Sequence, residues 1–204
     1  MKLYYTSPTA QDAIQADPRL SLGGYKALSP IPNSAFDSLF GEISQFLLSK
    51  DIPEDEYIGL ILKNETGSAV TNLWLWFEYA TDCYSKFLVA AVDLSLDSAG
   101  VYKMEHIPNR NSAPFYAEFY EASGVENAVS IGNLAIDGML GLWFKRTLVD
   151  DLATTIQQDS NLYETDPANT DMVKAVVPVK QDSISIKMVW GAEYYGSAIG
   201  DDLI

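Results

Sequence analysis

Residues 127–148 read NAVSIGNLAIDGMLGLWFKRTL. Val129 and Ile131 alternate with polar or small residues, Ile136-Asp137-Gly138 supplies a turn, and residues 139–147 resume a period of two. In that second run Leu140, Leu142 and Phe144 fall on one face, with Met139, Trp143 and Lys145 on the other. Alternation sustained this long predicts strands half buried in a sheet. Gly138 is expected to take the positive φ that a tight hairpin needs, so the stretch reads as a strand-turn-strand unit of an antiparallel β protein.

The alternation spreads outward in both directions. Ile58, Leu60 and Leu62 alternate upstream, followed by a turn over Asn64-Glu65-Thr66-Gly67-Ser68 in which Gly67 is the expected left-handed residue. Residues 70–79, VTNLWLWFEY, put Leu73, Leu75 and Phe77 on one face and Trp74 and Trp76 on the other. Residues 86–94 read as a strand apolar on both faces, 101–107 as a weaker one, 115–121 as another, and 172–180 and 183–190 as two more. Strands of this length with turns between them and few helices predict an all-β fold, an antiparallel immunoglobulin-like β-sandwich. Its expected core includes Leu60, Leu75, Val89, Ile131 and Leu142.

The N-terminal part reads differently. Pro8, Pro18, Gly23, Gly24, Pro30 and Pro32 interrupt helix and sheet, which predicts an extended arm that lies along its own domain or a neighbouring subunit, with order expected mainly from contact with other chains. Asn33 or Ser34 can cap a short helix carrying Phe36, Leu39, Phe40 and Ile43 on one stripe. The division is therefore residues 1–50 as arm and short helix, and residues 51–204 as the β-sandwich domain with C-terminal strands.

Composition bounds the function. With 48% hydrophobic residues the 204-residue chain can bury a core, and the single cysteine, Cys83, excludes an internal disulfide framework. A net charge of −15 opposes a phosphate backbone as partner. The acidity reads either as solubility or as an anionic wall beside DNA that must slide. The first residues lack the apolar run of a signal peptide, and no stretch reaches the length of a membrane span, so synthesis and retention in a host cytoplasm are expected.

Chemistry is sparse. His106 is the only histidine, and no nucleophile motif surrounds it. Asp159, Asn161, Glu164, Asp166 and Asp171 share a polar loop but lack the ligand spacing of a dedicated calcium loop. The Asn64-Glu65-Thr66 sequon carries little weight without a secretory route. No catalytic, cofactor or metal residue is assigned.

Four segments carry a resemblance. Leu20-Ser21-Leu22-Gly23-Gly24-Tyr25, Leu39-Phe40-x-x-Ile43-Ser44, Tyr57-Ile58-Gly59-Leu60-Ile61-Leu62-Lys63-Asn64 and Ser130-Ile131-Gly132-x-Leu134-Ala135-x-x-Gly138, the last continuing into Gly141-Leu142-Trp143-x-Lys145-Arg146-Thr147, occur in that order. Together they resemble virion structural proteins of tailed bacteriophages. Asn133 stands where that group has Asp, Gly59 stands where it has Arg, and residues 149–204 carry no such likeness. The resemblance implies a non-enzymatic component of a virion, assembled in several copies as a ring at the portal, collar, tail or baseplate. Its partners would be other copies of itself and other virion proteins, with no specific nucleic-acid binding, no membrane and no cofactor. The interface candidates are Trp74, Trp76 and Trp143, whose phase is opposite to the core, with Leu22 and Tyr25 of the arm and Phe36 and Phe40 of the helix; cover of the tryptophans by the N-terminal arm or the C-terminal strands within one subunit is the equal alternative. A carbohydrate-binding or adhesion module is the alternative, resting on outward tryptophans; an enzyme ranks last.

Overall fold

The computed structural model describes residues 1–32, 39–40, 55–79, 85–148, 163–165, 173–175, 184–191 and 202–203. In chain order the strands are β1 (Lys2–Ser7), β2 (Gly23–Pro30), β3 (Asp55–Lys63), β4 (Val70–Tyr79), β5 (Ser85–Val92), β6 (Ser95–Leu96) and β7 (Tyr102–His106). They continue with β8 (Tyr120–Glu121), β9 (Val129–Leu134), β10 (Met139–Leu148), β11 (Tyr163–Thr165), β12 (Val173–Ala175), β13 (Ile184–Val189) and β14 (Asp202–Leu203). The expected strand over 115–121 is realised only as β8. Pro114 and a turn through Phe115 and Tyr116 precede it.

Eight strands form one sheet in the order β6-β7-β2-β1-β3-β10-β5-β8, four form a second in the order β14-β13-β4-β9, and β11 pairs with β12. Every strand pair is antiparallel, and the sheets curl into a half-barrel. The main core lies between the inward faces of the two larger sheets. Leu60, Leu62, Val89, Leu142 and Phe144 come from the large sheet and Leu73, Leu75, Phe77, Ile186 and Met188 from the small one. All five expected core residues lie there, four of them fully buried and Ile131 packed partly buried against the rest.

Two expectations are corrected by the pairing. The first concerns residues 127–148, which are two strands joined by a turn but not a hairpin. β9 pairs with β4 in the small sheet, whereas β10 lies between β3 and β5 in the large one. The turn is a corner of the sandwich, closed by the Gly138 N–H donating to the Ala135 carbonyl at 2.9 Å. Asp137 takes the positive φ there, at 55°, and Gly138 is required for space, since a Cβ would meet the Ala135 carbonyl oxygen at 2.9 Å.

The second correction concerns the N-terminal segment. It is extended, but β1 pairs with both β2 and β3 and so sits inside the large sheet of its own chain. Gly23 and Gly24 do not break the sheet but open β2. Their φ values of 85° and 99° make the bulge by which β2 passes β7, and a Cβ on Gly23 would lie 1.8 Å from the Glu105 carbonyl oxygen. Of the proposed helix, Phe36 and Ile43 lie outside the described residues, as do Cys83, Asp159, Asn161, Asp166 and Asp171, whereas Leu39 and Phe40 are described and buried in the main core. Glu164 belongs to β11.

Candidate interaction surface

The candidate interface residues begin with Trp143, which leaves the large sheet on the face away from the main core, as its phase predicts. It does not reach solvent. Only 1% exposed, it centres a second apolar cluster with Leu22, Tyr57, Ile61, Ala90, Met104 and Ile107. Its cross-strand partners are Gly59 on β3 and Ala90 on β5. A Cβ on Gly59 would come within 2.9 Å of the indole and 3.0 Å of the Gly23 nitrogen, so the glycine is what lets the ring lie flat on the sheet.

The cover is the chain between β1 and β2. Leu22 bridges to Gly59 in parallel, the Gly59 N–H donates to the Ser21 carbonyl at 2.8 Å, and the Ile107 N–H donates to the Leu22 carbonyl at 3.0 Å. Beneath it Thr6 and Ser21, both fully buried, form a polar knot. The Ser21 hydroxyl accepts from the Thr6 N–H at 2.7 Å, the Thr6 hydroxyl accepts from the Gly23 N–H at 2.9 Å, and both hydroxyls lie 2.9 Å from the Gly59 carbonyl oxygen. A buried knot with its donors matched holds the crossing in place.

The other candidates are also occupied. Leu22 is part of the cover just described. Tyr25 is half-buried and donates its hydroxyl to Asp97 at 2.7 Å. Phe40 is buried against Phe87, ring centroids 5.4 Å apart, and Arg110 and Arg146 both approach its ring. Both arginines reach the Glu56 carboxylate at this end of the sandwich. Trp76 is 6% exposed, its indole nitrogen without a hydrogen-bond partner among the described residues, and Trp74 is half-buried. The bare aromatic platform that sugar binding by the tryptophans requires is therefore not present at Trp76 or Trp143.

Polar candidates resolve in the same way. His106 donates its Nδ1–H to the Leu22 carbonyl at 3.1 Å and so helps fasten the cover. Asn64 is fully buried, and its amide donates to the carbonyls of Ser68 and Ala135 at 2.7 and 2.9 Å, so it staples two turns rather than offering a glycan acceptor. Glu65 accepts from the Tyr4 hydroxyl at 2.6 Å and pairs with Lys2 and Lys63 at 3.0 and 3.3 Å. The Tyr4 bond, then Lys2, hold its carboxyl down to about 2, while burial and then Glu65 push the Tyr4 phenol up to about 12. At Asp55, burial raises the carboxyl, but hydrogen bonds from Lys145 and Thr147 outweigh it and leave the group below its ordinary value.

Besides Tyr102 on β7, three exposed aromatic residues are ones the periodicity hid. Phe115 and Tyr116 are 80% and 81% exposed, and Tyr120 is half exposed. Their signal was Pro114 followed by two adjacent rings, which a strand cannot turn to the same face. Among the described residues no cluster of three or more His, Cys, Asp or Glu is placed to hold a metal, and no helix is long and apolar enough to cross a membrane. The chain matches no protein-family model, no curated protein and no solved structure.

Proposed function

We propose that the protein is a non-enzymatic structural component of a tailed-phage virion, present in several copies as a ring at the portal, collar, tail or baseplate. One observation carries the reading. Segments of the phage-like resemblance that are far apart in sequence meet at a single point of the fold. Leu22 and Gly23 of the first, Tyr57 and Ile61 of the third and Trp143 of the fourth gather around the buried indole, beside Gly59, where this chain departs from the group. Residues shared for packing would cluster in this way, and a resemblance by chance gives no reason for them to do so. Made and assembled in the bacterial host, such a protein would work through its surfaces, with other copies and other virion proteins as partners. The carbohydrate-binding alternative depended on outward tryptophans and has less support. The test is to express a tagged copy during phage production and image gold-labelled particles by negative stain. Label at one fixed position on the particle is expected; purified particles that carry none of the chain would end the proposal.

A further inference from the structure

The connection from β7 to β8 crosses the outer face of the large sheet and is tethered along its length. The Tyr57 N–H donates to the Arg110 carbonyl at 2.7 Å, the Asn111 side-chain amide to the Asp55 carbonyl at 3.1 Å, and the Phe115 N–H to the Glu105 carboxylate at 2.9 and 3.0 Å. Pro114 is buried, and Ala117 and Phe119 pack onto the second cluster, the Phe119 ring 5.6 Å from that of Tyr57. Yet the Phe115 and Tyr116 rings stand in water, edge to face with centroids 4.8 Å apart. Beyond them exposure alternates: Tyr116, Glu118 and Tyr120 face out while Ala117 and Phe119 face in. The Tyr120 hydroxyl bonds to Glu118, and Glu121 is also exposed. β8 pairs with β5 on one side and has no strand partner on the other among the described residues.

Rings fixed outward by a tethered backbone lose little freedom on binding, and tyrosine is among the residues that most often carry binding energy. Charge decides the kind of partner. Residues 111–121 hold Glu118 and Glu121 and neither lysine nor arginine, in a chain of net charge −15. A phosphate backbone, an anionic membrane and a second copy would all bring like charge to the ridge. We propose that the 115–121 ridge docks an extended segment of a different protein in which lysine or arginine alternates with apolar side chains. The basic groups pair with Glu118 and Glu121, the apolar ones cover Phe115, Tyr116 and Tyr120, and the backbone runs along the open edge of β8. The ridge does not depend on the virion reading.

The test uses two synthetic octapeptides, Lys-Val-Lys-Phe repeated and its Glu-for-Lys counterpart, titrated to millimolar concentration into the full-length ¹⁵N-labelled chain. The cationic peptide is expected to shift amides of residues 113–122 and the acidic one to leave them unmoved. The Phe115→Ser/Tyr116→Ser variant, with its melting unchanged, should weaken binding about tenfold or more. Glu118→Gln/Glu121→Gln should weaken it and remove its salt dependence. Equal binding of both peptides, no binding, or shifts confined to other acidic surface would overturn the assignment. Concentration-dependent shifts of the same amides without peptide would overturn it in favour of a second copy.

Discussion

Gly59 and Trp143 are the residues on which the outer face of the large sheet depends, and each predicts the behaviour of the other. Adding a methyl at Gly59 puts a carbon within 2.9 Å of the indole, and overpacking of this kind costs about 1–3 kcal/mol. Removing the ring by Trp143→Ala opens the second cluster and is expected to cost about 3–5 kcal/mol. Urea unfolding of the isolated chain measures both; a Gly59→Ala variant as stable as the parent would mean that the ring does not rest there. The sequence was legible up to a point here. The opposite phase of Trp143 and Leu142 was plain from alternation, but the cover comes from residues more than a hundred positions away, which no local period reveals. Glu65 makes a prediction in pH. Its carboxyl is depressed in the fold, so its contribution is present above the ordinary value of 4.5 and is lost as pH falls through that value towards 2. The parent should therefore lose more stability between pH 4.5 and 2 than Glu65→Gln does, and Tyr4→Phe should shrink the difference. Parallel acid titrations followed by circular dichroism would show it.

β1 and β2 set the larger test at the scale of elements. A segment ordered by neighbouring chains would exchange its amide hydrogens freely in the isolated protein, whereas an internal strand would not. The pairing of β1 with β2 and β3 predicts protection of residues 2–7 comparable to that of residues 57–62 in the monomer. Thr6→Val should lower that protection and cost about 1–3 kcal/mol, because the buried Gly23 N–H loses its acceptor. Free exchange over residues 2–7 in the monomer would restore the arm. β13 was readable because its two faces differ in polarity, whereas β3, β4 and β10 were readable because bulky apolar residues recur at every second position although both faces are largely covered. β2 was not, since its glycines serve a bulge and a close backbone approach that look from sequence like interruptions. Alternation also could not say which sheet β9 joins. Neighbours in sequence are hairpins by default, and only the packing of Val129 and Ile131 against the main core puts the corner at residues 135–138.

At the scale of the whole molecule, net charge sorts the possible partners, and the sign of a salt effect tells them apart. Two copies each carrying −15 repel at long range, so self-association through apolar contact should strengthen as salt screens that repulsion, with a Debye length of about 8 Å at physiological ionic strength. A cationic segment held by Glu118 and Glu121 should behave oppositely and bind more weakly as salt rises. Both can operate in one assembly, on different surfaces. Sedimentation velocity across a salt series, alone and with the cationic peptide, is expected to show the two slopes with opposite sign. Phe115→Ser/Tyr116→Ser should remove only the peptide's slope, because those rings are exposed and support neither core. Trp143→Ala should instead lower the melting temperature, because its ring lies inside one. If the double variant abolishes self-association and leaves peptide binding intact, the ridge belongs between copies of this chain, and the charge argument that assigned it to a different protein is wrong.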